Sequence, residues 1–299
     1  MGVCSKGRLP TIPIIETEFE VSNSADSDSR DPIKPSQRRQ VLLDHVLRVG
    51  SAQLDDLATL FGVSRMTIHR DVDWLVEQGV VRKVYGGVTA RPSNVVESNF
   101  LYRSRMAMHN KELIARAAAE LIEPGQAIII DDSTTTTCLT RFLVQRKPHV
   151  VITNSQAVLD QLRDFHEIEV ISLGGRYSHR HNAFYGYMCA QAALSLRANT
   201  VFMSASTIFG KVAYHQQEDV VNVKRALMSV TDRRILMVDS SKFGMSALTR
   251  MADLTEFDLV LTDAGLPSAV AESLIQDGVN LKIVEESRPD APSDAPATP

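Results

Sequence analysis

Residues 64–70 read Ser-Arg-Met-Thr-Ile-His-Arg. Ser64 is suited to cap a helix. Ile68, Val72 and Leu75 then recur at i, i+4 and i+7 as one buried stripe. Met66, Thr67, His69 and Arg70 fall on the opposite face, with Ser64 and Arg65 at its start. Hydroxyls, an imidazole and guanidiniums on a projecting helix N-terminus donate to base edges and phosphates. A basic segment follows: Arg82, Lys83 and Tyr85, then Gly86-Gly87, which is expected to supply the positive-φ turn of a tight hairpin. A second polar set comprises Asp131, Ser133, Thr134, Thr135, Asn154, Ser155, Gly174, Gly175, Lys242 and Asp263, each at or just beyond the end of a short apolar run. Ser133 to Thr135 open a helix, whose free N–H groups and hydroxyls suit an anion, and Lys242 adds positive charge.

The elements that must position these groups fall into two segments. Residues 35–90 are short and mostly helical. Ser36 is expected to cap a helix carrying Val41, Leu42, His45 and Val46, ended by Gly50. Leu54, Leu57, Ala58 and Phe61 give a second helix, ended by Gly62, before the helix capped by Ser64. Two helices joined by a Gly-containing turn, followed by a hairpin, outline a winged helix-turn-helix. Residues 106–285 alternate apolar β-branched runs (126–131, 149–153, 167–174, 200–206, 234–241, 258–262, 281–285) with helical patterns (134–146, 155–163, 185–197, 216–230, 267–277). That rhythm predicts a mainly parallel sheet covered on both faces. The expected organisation is a disordered tail over 1–34, a DNA-binding domain over 35–90, a connector over 91–105, an α/β domain over 106–285, and a second disordered tail over 286–299. Both tails are rich in Ser, Asp, Glu and Pro.

The totals exclude little. Of 299 residues 44% are apolar, enough for a sizeable core, and the net charge of -4 names no partner. Charge placement matters more. Residues 36–90 hold seven Lys/Arg and six Asp/Glu, with Asp44, Asp55 and Asp56 confined to the first two helices. Cys4, Cys138 and Cys189 are too scattered for a disulfide framework or a zinc cluster, which fits a cytoplasmic chain. No run is long and apolar enough to span a membrane, and no signal peptide is read. Met1-Gly2 with Lys6 in place of Ser or Thr fails the myristoylation pattern. His179 and His181 alternate but find no third metal ligand nearby, so a solvated loop is expected and no metal or cofactor.

The stretch "LATLFGVSRMTIHRDVDWLVEQGVVRKVYGGV" resembles the helix-turn-helix signature of DeoR-type bacterial transcriptional regulators, through Val63-Ser64, Thr67-Ile68, Arg70-Asp71 and Gly86-Gly87. His69 stands where that family usually has Arg, so the family's base preference does not carry over to this position; the imidazole is expected to read DNA as a cation, to contact a base as a neutral donor, or to meet only water. Blocks similar to the family's sensor follow in its order: 97–122, "IIDDSTTTTCL", "VVITNS", "LGG", "VDSSKFG" and "LVLTD". The resemblance implies a sensor with the fold of sugar-phosphate isomerases. It also implies a repressor of carbohydrate or related metabolic genes, acting on double-stranded operator DNA as a homo-oligomer, dimer or tetramer. The first candidate for its small-molecule effector is a sugar phosphate. Two departures bear on that effector. The family's Asp-x-Gly-Thr-Thr reads Asp131-Asp132-Ser133-Thr134-Thr135, and Ser204 and Ser206 replace glycines. Serine intrudes where glycine lets a phosphate approach, so the pocket is expected to be narrower, differently selective, or no longer a sugar-phosphate site. The alternative class is an enzyme, with Asp131, Asp132, Asp239 and Lys242 doing acid–base isomerisation. No catalytic residue is assigned, because the DNA-reading segment argues for a regulator.

Overall fold

The computed structural model describes residues 34–77, 79–89 and 98–286. The expected disordered tails lie outside the described residues, apart from Lys34 and Glu286.

The N-terminal head contains α1 (Pro35–Val49), β1 (Ser51–Gln53), α2 (Leu54–Phe61), α3 (Arg65–Glu77), β2 (Arg82–Val84) and β3 (Gly87–Thr89). Leu42, Leu43 and Val46 of α1 pack on Leu54 and Leu57 of α2, on Ile68, Val72 and Leu75 of α3, and on Val80, Val81 and Val88. Two sequence readings change here. α1 begins at Pro35, whose missing N–H is harmless at a helix start, so Ser36 lies inside the first turn. Val41 is 47% exposed, and Leu43 takes the expected core place. Gly62 adopts φ 60 at the end of α2, the left-handed conformation that closes the tight turn into α3.

α1 is locked to α3 by a buried ion cluster. Asp71, 1% exposed, accepts from Arg38 Nε at 2.6 Å and Arg39 Nε at 2.8 Å. Arg39 also lies over the Trp74 ring at 4.9 Å. The wing is a three-stranded sheet in the order β1-β3-β2. Val84 pairs with Gly87, so Tyr85 and Gly86 are the whole turn. Only Gly86 has positive φ (71°). Gly87 serves differently from expectation: a Cβ there would meet the Ala52 carbonyl oxygen at 2.5 Å, so its lack of a side chain lets β3 lie against β1.

The C-terminal part opens with α4 (Phe100–Arg105), inside the segment read as connector, and α5 (Met108–Ala119). There follow β4 (Ala127–Ile130), α6 (Thr134–Thr137), α7 (Thr140–Arg146), β5 (Val150–Thr153), α8 (Gln156–Leu162), β6 (Glu169–Ser172), β7 (Arg176–Ser178), β8 (Ala183–Tyr185), α9 (Tyr187–Leu194) and β9 (Ala198–Met203). The chain continues through β10 (Thr207–Phe209), β11 (Val212–His215), α10 (Glu218–Ser229), β12 (Thr231–Met237), β13 (Thr249–Asp253), β14 (Leu259–Asp263), α11 (Ser268–Gln276) and β15 (Leu281–Val284).

Every apolar run read as a strand joins one seven-stranded sheet, in the order β15-β14-β12-β9-β4-β5-β6, and all its pairings are parallel. Both faces are covered. Ile128, Ile130, Val151, Phe202 and Met237 pack with Ile114 and Ala118 of α5, Leu143 of α7 and Val158 of α8. Ile129, Ile152, Val201, Met203 and Leu236 point the other way, onto Cys189 of α9, Val223 and Leu227 of α10 and Leu274 of α11. Strand order reverses between β4 and β9, with later strands running outward on one side and β5 and β6 on the other. That is the switch point of a doubly wound sheet. Two small additions lack a sequence signature: an antiparallel sheet β10-β11-β13 and the hairpin β7-β8. No helix among the described residues is long and apolar enough to cross a membrane.

Substituting Asp71→Ala removes the acceptor that two arginines share in a largely buried site. The head is expected to lose about 3–5 kcal/mol, read as an earlier transition in urea unfolding, with the sensor's transition unmoved.

Candidate functional site

Two polar surfaces follow from this frame. The first is on the head. The Ser64 hydroxyl accepts from Thr67 N–H at 3.2 Å and lies 2.9 Å from the Thr67 hydroxyl, which caps α3 and fixes its first turn. Arg65, Met66 and Arg70 are exposed, and Thr67 and His69 are half-buried on the same side. Arg65 pairs with Asp55 at 3.2 Å, and Lys83 of the wing pairs with Asp73 of α3. Both pairs are exposed and worth little in water, so a phosphate can take either cation over. Arg82, Lys83, Tyr85 and Gly86 are exposed, with Tyr85 at the tip of the turn; Gly87 is buried in the sheet.

The second surface is a crevice at the carboxyl ends of β4 and β9, where a doubly wound sheet takes its ligands. Its walls include Arg103, Asp132, Ser133, Thr134, Thr135, Ser204, Ser206, His215, Lys224 and Lys242, around a cavity of about 20 Å³. Lys111 joins from behind, donating to the Arg103 carbonyl and to Thr134 Oγ1 at 3.1 Å. Of the sequence-selected residues, Ser133, Thr134, Thr135 and Lys242 meet here. The others serve the frame. Asp131 is buried and already saturated: its carboxylate accepts from Ser133 N–H (3.0 Å), Ser133 Oγ (2.7 Å), Thr136 Oγ1 (2.7 Å), Ser204 N–H (2.9 Å) and Lys224 Nζ (2.5 Å). Asn154 donates to the Phe184 carbonyl, and Ser155 caps α8. At Gly175 a Cβ would meet the Tyr185 carbonyl oxygen at 2.7 Å, so the Gly174-Gly175 pair admits the β7-β8 hairpin. Asp263 accepts from Ser240 N–H and Oγ and from Gly265 N–H, holding a turn.

Of the crevice's cations, sequence reasoning assigned a role to Lys242 and none to Arg103, Lys111 or Lys224. Lys111 and Lys224 are each 2% exposed. Both stand on the apolar stripe of their helices, Lys111 with Ile114, Ala115 and Ala118, and Lys224 with Val220, Val221 and Leu227. A lysine at a core position is the signal that was available. Burial, with Lys242 nearby, pushes the Lys111 ammonium down to about 8. Asp132 moves the other way. Its burial opposes ionisation, but Lys224, His181, the Tyr185 hydroxyl and Arg103 outweigh it and hold the carboxyl down to about 2. His181 corrects the expectation of a solvated loop: it is buried, 2.9 Å from Gln217 Oε1 and 3.5 Å from Arg103 Nη2. No cluster suited to a metal occurs among the described residues.

The DeoR-like helix-turn-helix domain matches residues 38–94, and the DeoR C terminal sensor domain matches residues 106–264. This chain belongs to the DeoR family of transcriptional regulators. An uncharacterized HTH-type transcriptional regulator, YgbI of Escherichia coli K12, is 32% identical over 84% of this chain and 98% of its own. A putative aga operon transcriptional repressor of Escherichia coli O157:H7 is 30% identical over 89% of this chain and all of its own. Among solved structures, ribose 5 phosphate isomerase A from Neisseria gonorrhoeae is similar over 46% of this chain and 54% of its own, at 17% identity and a TM-score of 0.33. The DeoR-family chain is thus a DNA-binding regulator with its reading head at the N-terminus and its sensor behind.

Lys111 makes stability depend on pH. Its folded value, about 8, lies below its ordinary 10.5, so between those values the unfolded chain binds more protons. The cost of burying the charge is therefore fully present below pH 8 and is relieved as pH rises toward 10.5. Urea midpoints measured across that window are expected to rise less steeply in Lys111→Met than in the wild type.

Proposed function

We propose that this regulator represses carbohydrate or related metabolic genes as a homo-oligomer, dimer or tetramer, and that a phosphorylated sugar or similar anionic metabolite bound in the sensor crevice controls it. The observation that carries the effector class is the convergence of Arg103, Lys111, Lys224 and Lys242 on one crevice lined by Ser133, Thr134 and Thr135. Three aspartates, Asp131, Asp132 and Asp239, offset only part of that charge. A phosphate finds cations, hydroxyls and the N–H groups of the α6 turn together there. Two of the carboxylates of the acid–base alternative are otherwise occupied, since Asp131 is saturated and Asp239 is engaged by Ser241.

On DNA, Arg65, Met66, Thr67, His69 and Arg70 of α3 read the major groove, with Ser64 holding the helix start. Arg82, Lys83 and Tyr85 of the wing, carried by the Gly86-Gly87 turn, contact the flanking backbone. One head reads few base pairs, so two related heads are needed for an operator.

Control runs through α4. A cavity of about 20 Å³ has room for about one water, so a sugar phosphate enters only when its walls part. Arg103 is one of those walls. The start of its helix is tied to the head, because the Ser98 hydroxyl donates to the Gly79 carbonyl, and Arg180, whose carbonyl accepts from Phe100 N–H, donates to the Glu77 carbonyl at the end of α3. Opening the crevice therefore loads the contacts that orient the reading head. An effector that prefers the open form thereby changes operator affinity.

Arg70→Ala is expected to weaken operator binding about tenfold or more per head, with sensor folding intact; unchanged affinity in a gel-shift titration removes Arg70 from the interface. In the same assay a panel of pentose and hexose phosphates is expected to contain a member that shifts wild-type affinity. A panel without effect overturns the effector class, and a monomer by light scattering overturns the assembly.

A further inference from the structure

Among the described residues, one carboxylate oxygen of the crevice accepts no hydrogen bond. Asp132 is the second residue after β4, is 2% exposed and lines the cavity. Its Oδ2 accepts the Tyr185 hydroxyl at 2.5 Å. Among the described residues no group donates a hydrogen bond to its Oδ1. Lys224 Nζ lies 3.4 Å from that oxygen, but its short hydrogen bond is spent on Asp131 Oδ2. A buried carboxylate oxygen without a hydrogen-bond donor is costly, because a neighbouring charge alone does not replace the directed bonds it made with water. Protonation does not relieve it. Burial favours the neutral acid, yet Lys224, His181, Tyr185 and Arg103 keep the carboxyl ionised down to about pH 2, so at neutral pH Asp132 only accepts.

We infer that Asp132 reads the occupant of this crevice, and that the metabolite carries, beside its phosphate, a hydroxyl or ammonium that donates to Asp132 Oδ1. The inference rests on the anion site proposed above and narrows it. A bare anion is repelled by Asp132 and attracted by Lys111, Lys242 and the Thr134–Thr135 turn, which orients the molecule with its phosphate toward the lysines. The atom left facing Asp132 must then be a donor. A hydroxyl-bearing or amino-bearing phosphoester satisfies both ends, whereas an alkyl phosphate leaves Oδ1 without a hydrogen-bond donor. Discrimination of this kind is strong, since the site's own buried group penalises the wrong ligand.

The test is calorimetric titration of the full chain at pH 7 with inorganic phosphate, propyl phosphate, glycerol 3-phosphate, ethyl phosphate and phosphoethanolamine. The wild type is expected to bind glycerol 3-phosphate over propyl phosphate, or phosphoethanolamine over ethyl phosphate, by about tenfold or more, the scale of a hydrogen bond to a charged group. Which pair shows the preference tells a polyol from an amine. Asp132→Asn, isosteric and still able to accept from Tyr185, is expected to bring that ratio down to about two or three while binding inorganic phosphate at least as well. A preference that survives in Asp132→Asn, or a wild type that binds phosphate with no preference, overturns the role of Asp132 and leaves the anion site standing. A wild type that binds none of the probes overturns both. If Asp132→Asn does not fold, Tyr185→Phe replaces it. That variant keeps the charge but releases Oδ2, so the donor preference must grow, and an unchanged ratio overturns the inference.

Discussion

A carboxylate with no solvent exposure sets the architecture of the sensor. Asp131 sits at the end of β4 and gathers donors from the α6 turn, from the residue after β9 and from Lys224 on α10. An ion in a dry interior costs several kcal/mol unless it is surrounded by donors, so all of these elements must come together or none gains from the arrangement. They meet where the sheet reverses its strand order, and the crevice is the space their meeting leaves. Because the short hydrogen bond of Lys224 goes to Asp131, its neighbour Asp132 keeps one oxygen without a hydrogen-bond donor among the described residues. The shape of the crevice and its residual charge thus descend from a single group.

The sheet was legible in the sequence because a parallel strand buried on both faces has to be apolar throughout. Runs such as Ile128-Ile129-Ile130 and Val150-Val151-Ile152 leave no other role open. The strands without a signature lie outside that sheet. Ser51–Gln53, Arg176–Ser178 and Thr207–Phe209 hold three residues each, too few for an alternation to register, while Thr249–Asp253 is long enough but carries Thr, Arg and Asp in place of a continuous apolar run. The stripe of α3 was legible for a related reason: Ile68, Val72 and Leu75 are fully enclosed, and helical spacing alone accounts for them.

The site was legible only in outline. Polar residues at strand ends gather along one edge, but the sequence does not tell which face a cavity and which hold the frame. Ser155 and Asp263 are spent on a cap and a turn, while Ser133 and Thr134, of the same chemical type, line the crevice. Lys111 and Lys224 were within reach, as cations standing in rows of buried aliphatic residues. Arg103 was not. It arrives on a helix that occupies an apparent connector, and only the packing of α4 beside the α6 turn brings it to the crevice.

Arg70 and Asp71 are neighbours on one helix turned in opposite directions, the first to solvent and the second into a clamp with Arg38 and Arg39. That division has an evolutionary consequence. The orientation of α3 is held by the inner residue, so the outer ones contribute little to folding and are free to change. On the proposed role of α3, a duplicated copy of this regulator can acquire a new operator by drifting at positions 65, 66, 69 and 70 without passing through an unstable intermediate. The inward aspartate has no such latitude, and it holds descendants to one frame while their reading residues diverge.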